Sequence, residues 1–312
     1  MAQLKVSEPA KTAAPDLPRR RGLVVAISVL AGFVLTMIWS APFVDRVIGG
    51  NVASTLLGHD PEAPIAGTVA GIAFAFVSGL AGTFTACNIA AFGAVVPMIG
   101  EQQTARARLA LALRPLAWLA AGMVVVSALY GAIVGLAGTS MPQFSQNPAQ
   151  VGLGPRNIQS MVAFGLIGLA LIYLGLATLR LAPDPFARTS GRFPHARLFF
   201  VGALIGGFLV GRPFPLFRQL FRYAAESGNP LFGAGAFVLQ SLGNIIVMAI
   251  IFVILMNRPG APLRRWLAAK PHRITLVTAV GFIVVGAFTL LYWDVRLPSF
   301  RGFFWYPTAP WT

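Results

Sequence analysis

Cys87 is the only thiol in the chain, set in "TFTACNIA" at residues 83–90. Most free cysteines behave as small buried hydrophobes. A reactive thiolate needs a nearby cation or a helix N-terminus to lower its pKa. Disulfide exchange also needs a resolving cysteine, which here would come from a partner protein. One cysteine without a neighbouring His or carboxylate cannot fill a tetrahedral metal shell. The second chemical stretch is "VGRPFPLFRQLF" at 210–221, where Arg212, Pro213, Phe214, Pro215 and Arg218, followed by Arg222, interrupt an apolar run. These arginines can snorkel to a headgroup layer or hold an anionic substrate or a partner's carboxylate through a bidentate fork. Gln240 and Asn244, four residues apart, share a helix face and either bond across helices or line a cavity. With Cys87 and Asn88 they complete the candidate site. His59, His195 and His272 fall in loops or at span ends. No nucleotide loop, zinc motif or nucleophile–base pair is present, so no cofactor is predicted and an enzymatic role is disfavoured.

These groups must be positioned by a membrane scaffold. Of the 312 residues, 56% are hydrophobic and only 11% charged, against about 25% charged in soluble domains; the mean hydropathy is +0.74. Spans need about 20 apolar residues, and seven stretches qualify: roughly 22–44, 65–99, 109–138, 160–181, 197–222, 233–256 and 274–293. All nine acidic residues lie between or beside them, which argues against a carboxylate proton relay. With the N-terminus inside, 17 of the 24 Lys and Arg fall on the cytoplasmic side, so the net charge of +15 reads as a topology signal rather than a nucleic-acid footprint.

The reading is an all-α integral membrane protein, N-terminus cytoplasmic and C-terminus extracytoplasmic, in a bacterial inner membrane. A tail (1–21) and an anchor helix (22–44) lead through an outer loop (45–64) to one three-span repeat (65–182). A cytoplasmic loop (183–196) then joins a second repeat (197–293) and an outer aromatic tail (294–312). Each repeat opens with a Gly-rich span that breaks, at Thr83–Asn88 and at Arg212–Pro215. Each closes with a glycine-spaced span, "VAFGLIGLALIYLGLATL" and "VTAVGFIVVGAFTLLYW". Three spans per repeat force opposite orientations, giving a 3+3 inverted repeat with two broken helices. Pro213 and Pro215 cannot continue a helix, and such backbone is tolerated in a bilayer only where protein or a water-filled cavity satisfies it.

At these two breaks residues 65–293 resemble the transmembrane core of the DsbD/CcdA-type cytochrome c biogenesis family. "LRPLAWLAAGMVVVSALYGAIVGLAG" is similar to that core's second span. Thr85-Ala86-Cys87 matches the family's Thr-Pro-Cys with Ala86 for proline, and "RPF" keeps Pro213 but has Phe214 in the second cysteine's place. The resemblance implies an accessory protein or subunit that supports maturation of exported redox proteins without autonomous thiol–disulfide transfer. Its partners would be lipids and a periplasmic or membrane redox protein, with the aromatic tail as a docking strip. Two alternatives remain open at this point. One is a small-solute or metal transporter with a midplane site at the breaks. The other is an electron conduit through Cys87 and a partner's cysteine.

Overall fold

The computed structural model describes residues 20–58, 60, 63, 65, 67–82, 105–145, 152–211, 215–257 and 269–312. Every regular element among them is helical. Helix α1 spans Arg21–Ile38, followed by a π-helical segment, Phe43–Gly50, that runs into α2, Asn51–Leu57. Next come α3 (Thr68–Ala81), α4 (Ala105–Ala137), α5 (Pro155–Thr178), α6 (Ala196–Gly211), α7 (Pro215–Glu226), α8 (Pro230–Asn257) and α9 (Pro271–Leu290). A second π-helical segment, Leu291–Arg296, and the short α10, Leu297–Phe300, continue α9. Five helices are long and apolar enough to cross a membrane, or six if the bent pair α6–α7 counts as one span. The 14-residue α3 is apolar but shorter. The chain is a multi-pass membrane protein.

The reason lies in which residues face outward. In α1 the buried positions are Ser28, Gly32 and Thr36, while Leu23, Ile27, Leu30, Val34 and Ile38 are exposed. That is a water-soluble helix turned inside out. Small and hydroxylic residues let helices approach, and the apolar stripe is left for lipid tails. Exposed stripes of the same spacing run along α4 (Val125, Leu129, Ile133, Leu136) and α5 (Ile158, Val162, Leu166, Leu169).

Local sequence sets the helix ends. Pro155 and Pro271 stand at first helical positions, where their missing N–H costs nothing. Asn229 caps α8, its side-chain oxygen accepting from the N–H groups of Leu231 (2.9 Å) and Phe232 (3.3 Å). Gly58 closes α2 at φ +72°, its N–H returning to Ser54 O.

Neighbouring helices form a folded row in the order α1, α9, α5, α6, α4, α8, α3. Contacts along each pair give direction. Gly131 meets Gly233 while Gly135 meets Asn229, so α4 and α8 are antiparallel. Gly165 meets Asp294 while Gly175 meets Ala279, so α5 and α9 are too. Gly122 meets Phe199 while Gly206 meets Val126, so α4 and α6 run parallel. The starts of α1, α6 and α9 therefore share one face, the amino-terminal face, with the end of α5. The ends of α4 and α6, the starts of α5 and α8, and the chain's end share the opposite, carboxy-terminal face.

The structure revises three expectations. The stretch 45–64 is largely helical rather than an open loop, with Ala53 fully buried in the core. The interrupted fifth span is not straight: α7 leaves α6 at 83°. It lies as an amphipathic helix against α3, α4 and α8, with Leu216, Phe217, Leu220, Phe221, Ala224 and Ala225 buried and Arg218, Arg222 and Glu226 exposed. The last helix runs on to Phe300, so Asp294 and Arg296 belong to it and not to a tail beyond it.

Candidate functional site

α6 ends at Gly211 inside the protein, and a helix end leaves its last carbonyls without intrahelical partners. Two side chains of α5 take them. Gln159 Nε2 donates to Val210 O at 2.7 Å, and Ser160 Oγ donates to Gly211 O at 2.6 Å. Gln159 Nε2 also approaches Tyr130 Oη at 3.2 Å, and the Tyr130 hydroxyl donates to Gln143. This answers how a broken span survives in an apolar layer. Two carbonyls beside the break, Val210 O and Gly211 O, are satisfied by polar side chains of one neighbouring helix, as hydrocarbon requires. Neither Gln159 nor Ser160 is marked by any motif; their only signal is being polar within an apolar span.

On the other side of the α6 terminal turn lies a small internal cavity between α4, α6, α7 and α8. Gln240, Ser241 and Asn244 line it on α8, facing Gly206, Phe208 and Phe217. About 20 Å³ of it is open to the centre of a water molecule, enough to hold one. Ser127 and Ser241 hydrogen-bond across α4 and α8 at 2.5 Å. Gln240 is 1% exposed, and neither its amide nitrogen nor its amide oxygen has a partner among the described residues. An unpaired buried amide costs about 1–3 kcal/mol per group. Its backbone is clasped as well, for a Cβ on Gly79 would stand 2.0 Å from Gln240 O.

Of the residues singled out in the sequence, Gln240 and Asn244 share this cavity as their spacing required. Arg218 lies instead on the carboxy-terminal side, lining a second cavity with Arg156, Gln159 and Ser160. Pro215 opens α7. Cys87, Asn88, Arg212, Pro213 and Phe214 lie outside the described residues. His195 stacks on Trp118 with centroids 5.4 Å apart, and His272 is the second residue of α9. Among the described residues no three His, Cys, Asp or Glu side chains gather as a metal site would need.

Two charged residues gain roles that the sequence did not suggest. Arg296, 2% exposed, donates to Thr36 O (2.6 Å) and Trp39 O (2.8 Å), closing the end of α1. Tyr292 and Phe300 flank its guanidinium at 5.0 and 5.1 Å. Asp294 presses its carboxylate against Gly165, with Oδ2 buried and unpartnered among the described residues. The absence of acids from the spans therefore holds only up to Asp294. The final residues join the α1 closure. Tyr306 bonds Thr36 through their hydroxyls, Ala309 N–H donates to Met37 O at 2.9 Å, and Trp311 Nε1 donates to Ile38 O at 3.3 Å.

Compared with known proteins, the chain matches no family model, no curated protein and no solved structure.

Proposed function

We propose that this protein is a multi-pass carrier for a small polar solute, with Gln240 as the group that recognises it. The observation that carries the reading is Gln240 itself: a fully buried amide with neither end paired among the described residues, facing a cavity beside the interrupted helix α6. A membrane protein that keeps such a group carries its cost without structural return, and intramembrane polar groups of this kind mark pathways. Solutes offering a donor and an acceptor together would satisfy it.

The architecture proposed for it is a seven-span inverted repeat in a bacterial inner membrane, N-terminus cytoplasmic. Helix pairing supports that reading. α4 crosses α6 at Gly122 and Gly202, and α8 crosses α3 at Gly243 and Gly79; in each case a Cβ would stand about 2 Å from a partner carbonyl. Exchanging α3, α4 and α5 with α6, α8 and α9 maps the first crossing onto the second. It also maps the antiparallel pairs α4–α8 and α5–α9 onto themselves.

Proteoliposome osmotic response to urea, formamide and glycerol tests the carrier. Wild type should respond faster than empty liposomes to at least one solute, and Gln240→Leu should not. Equal rates for all three vesicle types would count against it.

A second reading keeps the DsbD/CcdA-like core as an accessory subunit for maturation of exported redox proteins. It is favoured by the aromatic surface at the chain's end, where Phe303, Trp305 and Trp311 are exposed, Trp305 by 83%. Truncation of the tail cannot test it cleanly, since Tyr306 and Ala309 secure α1. Trp305→Ala in mild-detergent co-purification can, and loss of a stoichiometric redox partner would favour it. Thiol transfer through Cys87 would require a partner's cysteine and a trapped mixed disulfide.

A further inference from the structure

We infer that Arg156 and Arg218 form a binding site for a phosphate oxyanion that carries its own hydroxyl, on the carboxy-terminal face. The site does not depend on what crosses the core. The two guanidiniums line one cavity with Gln143, Gln159, Ser160 and Phe221. Arg156 is half-buried and feels the charges of Arg218 and Arg301.

Both arginines stand near helix starts. Arg156 is the second residue of α5, which has no side-chain cap, and Arg218 the fourth of α7. There the helix dipole already favours negative charge and a cation has the wrong sign. Holding like charges together at such a place is unfavourable until an anion arrives, when repulsion and dipole both turn to attraction. Guanidinium forks suit phosphate oxygens.

Gln159 selects among anions. Its Nε2 is committed to Val210 O, while Oε1 is buried and unpartnered among the described residues. That oxygen can only accept, so a bare anion would be repelled and a ligand bearing an O–H is favoured. The enclosed part of the cavity, about 10 Å³ open to the centre of a water, admits one ligand oxygen, and the rest lies beside the exposed Arg218. Hydrogen phosphate meets these demands, as does the phosphodiester of a glycerol-bearing lipid headgroup.

The test uses the full chain in nonionic detergent. Calorimetric titration with inorganic phosphate, and with sulfate at matched ionic strength, is set beside native mass spectrometry with phosphatidylglycerol and phosphatidylcholine. Phosphate should bind saturably and about tenfold or more tighter than sulfate, as expected when a buried acceptor goes unpaired. Arg218→Gln should weaken it by at least about tenfold, and Arg188→Gln, on the amino-terminal face, should not. Retention of phosphatidylglycerol alone, lost in Arg218→Gln, assigns the site to lipid. If the double variant Arg156→Gln/Arg218→Gln does not fold, Arg218→Gln decides, because that side chain is exposed. Saturable binding in neither arm, or binding unchanged by Arg218→Gln, would overturn the inference.

Discussion

Gln240 and Arg296 are both buried polar side chains, yet they make opposite predictions. Arg296 has found its acceptors at the end of α1. Replacing it by methionine should leave those carbonyls unpaired and cost about 2–4 kcal/mol, since breaking hydrogen bonds to a charged donor is among the larger single losses. The drop should appear as a lowered melting temperature in detergent, and an unchanged one would remove Arg296 from the account. Gln240 has no partner among the described residues, so Gln240→Leu should raise stability by about 1–3 kcal/mol while abolishing solute movement. Loss of stability would mean that the amide is satisfied after all. The spacing of Gln240 and Asn244 was readable because four residues bring two side chains to one helix face. Arg296 was not, because its partners lie some 260 residues away in sequence and nothing local distinguishes a buried arginine from an interfacial one.

Helix-scale behaviour turns on where backbones touch. A Cβ on Gly202 would stand 1.9 Å from Leu119 O, and backbone cannot yield as a side chain can. Gly202→Ala should therefore separate α4 from α6 and cost at least about 3 kcal/mol, at the high end for overpacking. At Gly235, also within a helix, nothing lies within 4 Å, so alanine there should be neutral or stabilise by up to about 1 kcal/mol. Thermal unfolding of the pair decides, and equal effects would contradict the crossing. Ser160→Ala tests the broken helix in the same way, as it leaves Gly211 O without its donor at a cost of about 1–3 kcal/mol. The break between Gly211 and Pro215 was legible, since proline cannot propagate a helix. The 83° turn into α7 was not. Hydropathy counts Leu216, Phe217, Leu220 and Phe221 as span, and only the exposed arginines at i and i+4 between them show an amphipathic surface helix. The helical 43–57 segment was missed for a related reason, its apolar content being too short for a span and too mixed to mark a helix.

For the whole molecule, membrane class and all-helical character were carried by composition, and the pairing of helices by the glycines, whose partners a sequence does not name; of the seven spans read from hydropathy, five or six meet the length and apolarity of a span. The C-terminal aromatics, read in the sequence as interfacial, include exposed Phe303, Trp305 and Trp311. Their second task, closing α1 through Tyr306, Ala309 and Trp311, depends on a contact between the two ends of the chain. The central claim is that the core around Gln240 is a hydrated site beside the interrupted helix α6. The most direct measurement is sided labelling of Ser241→Cys in a Cys87→Ser background, using a membrane-impermeant maleimide on sealed vesicles of each orientation. The account predicts reaction from both faces, slower than at a surface cysteine. A thiol that reacts from neither face until the membrane is dissolved would contradict it.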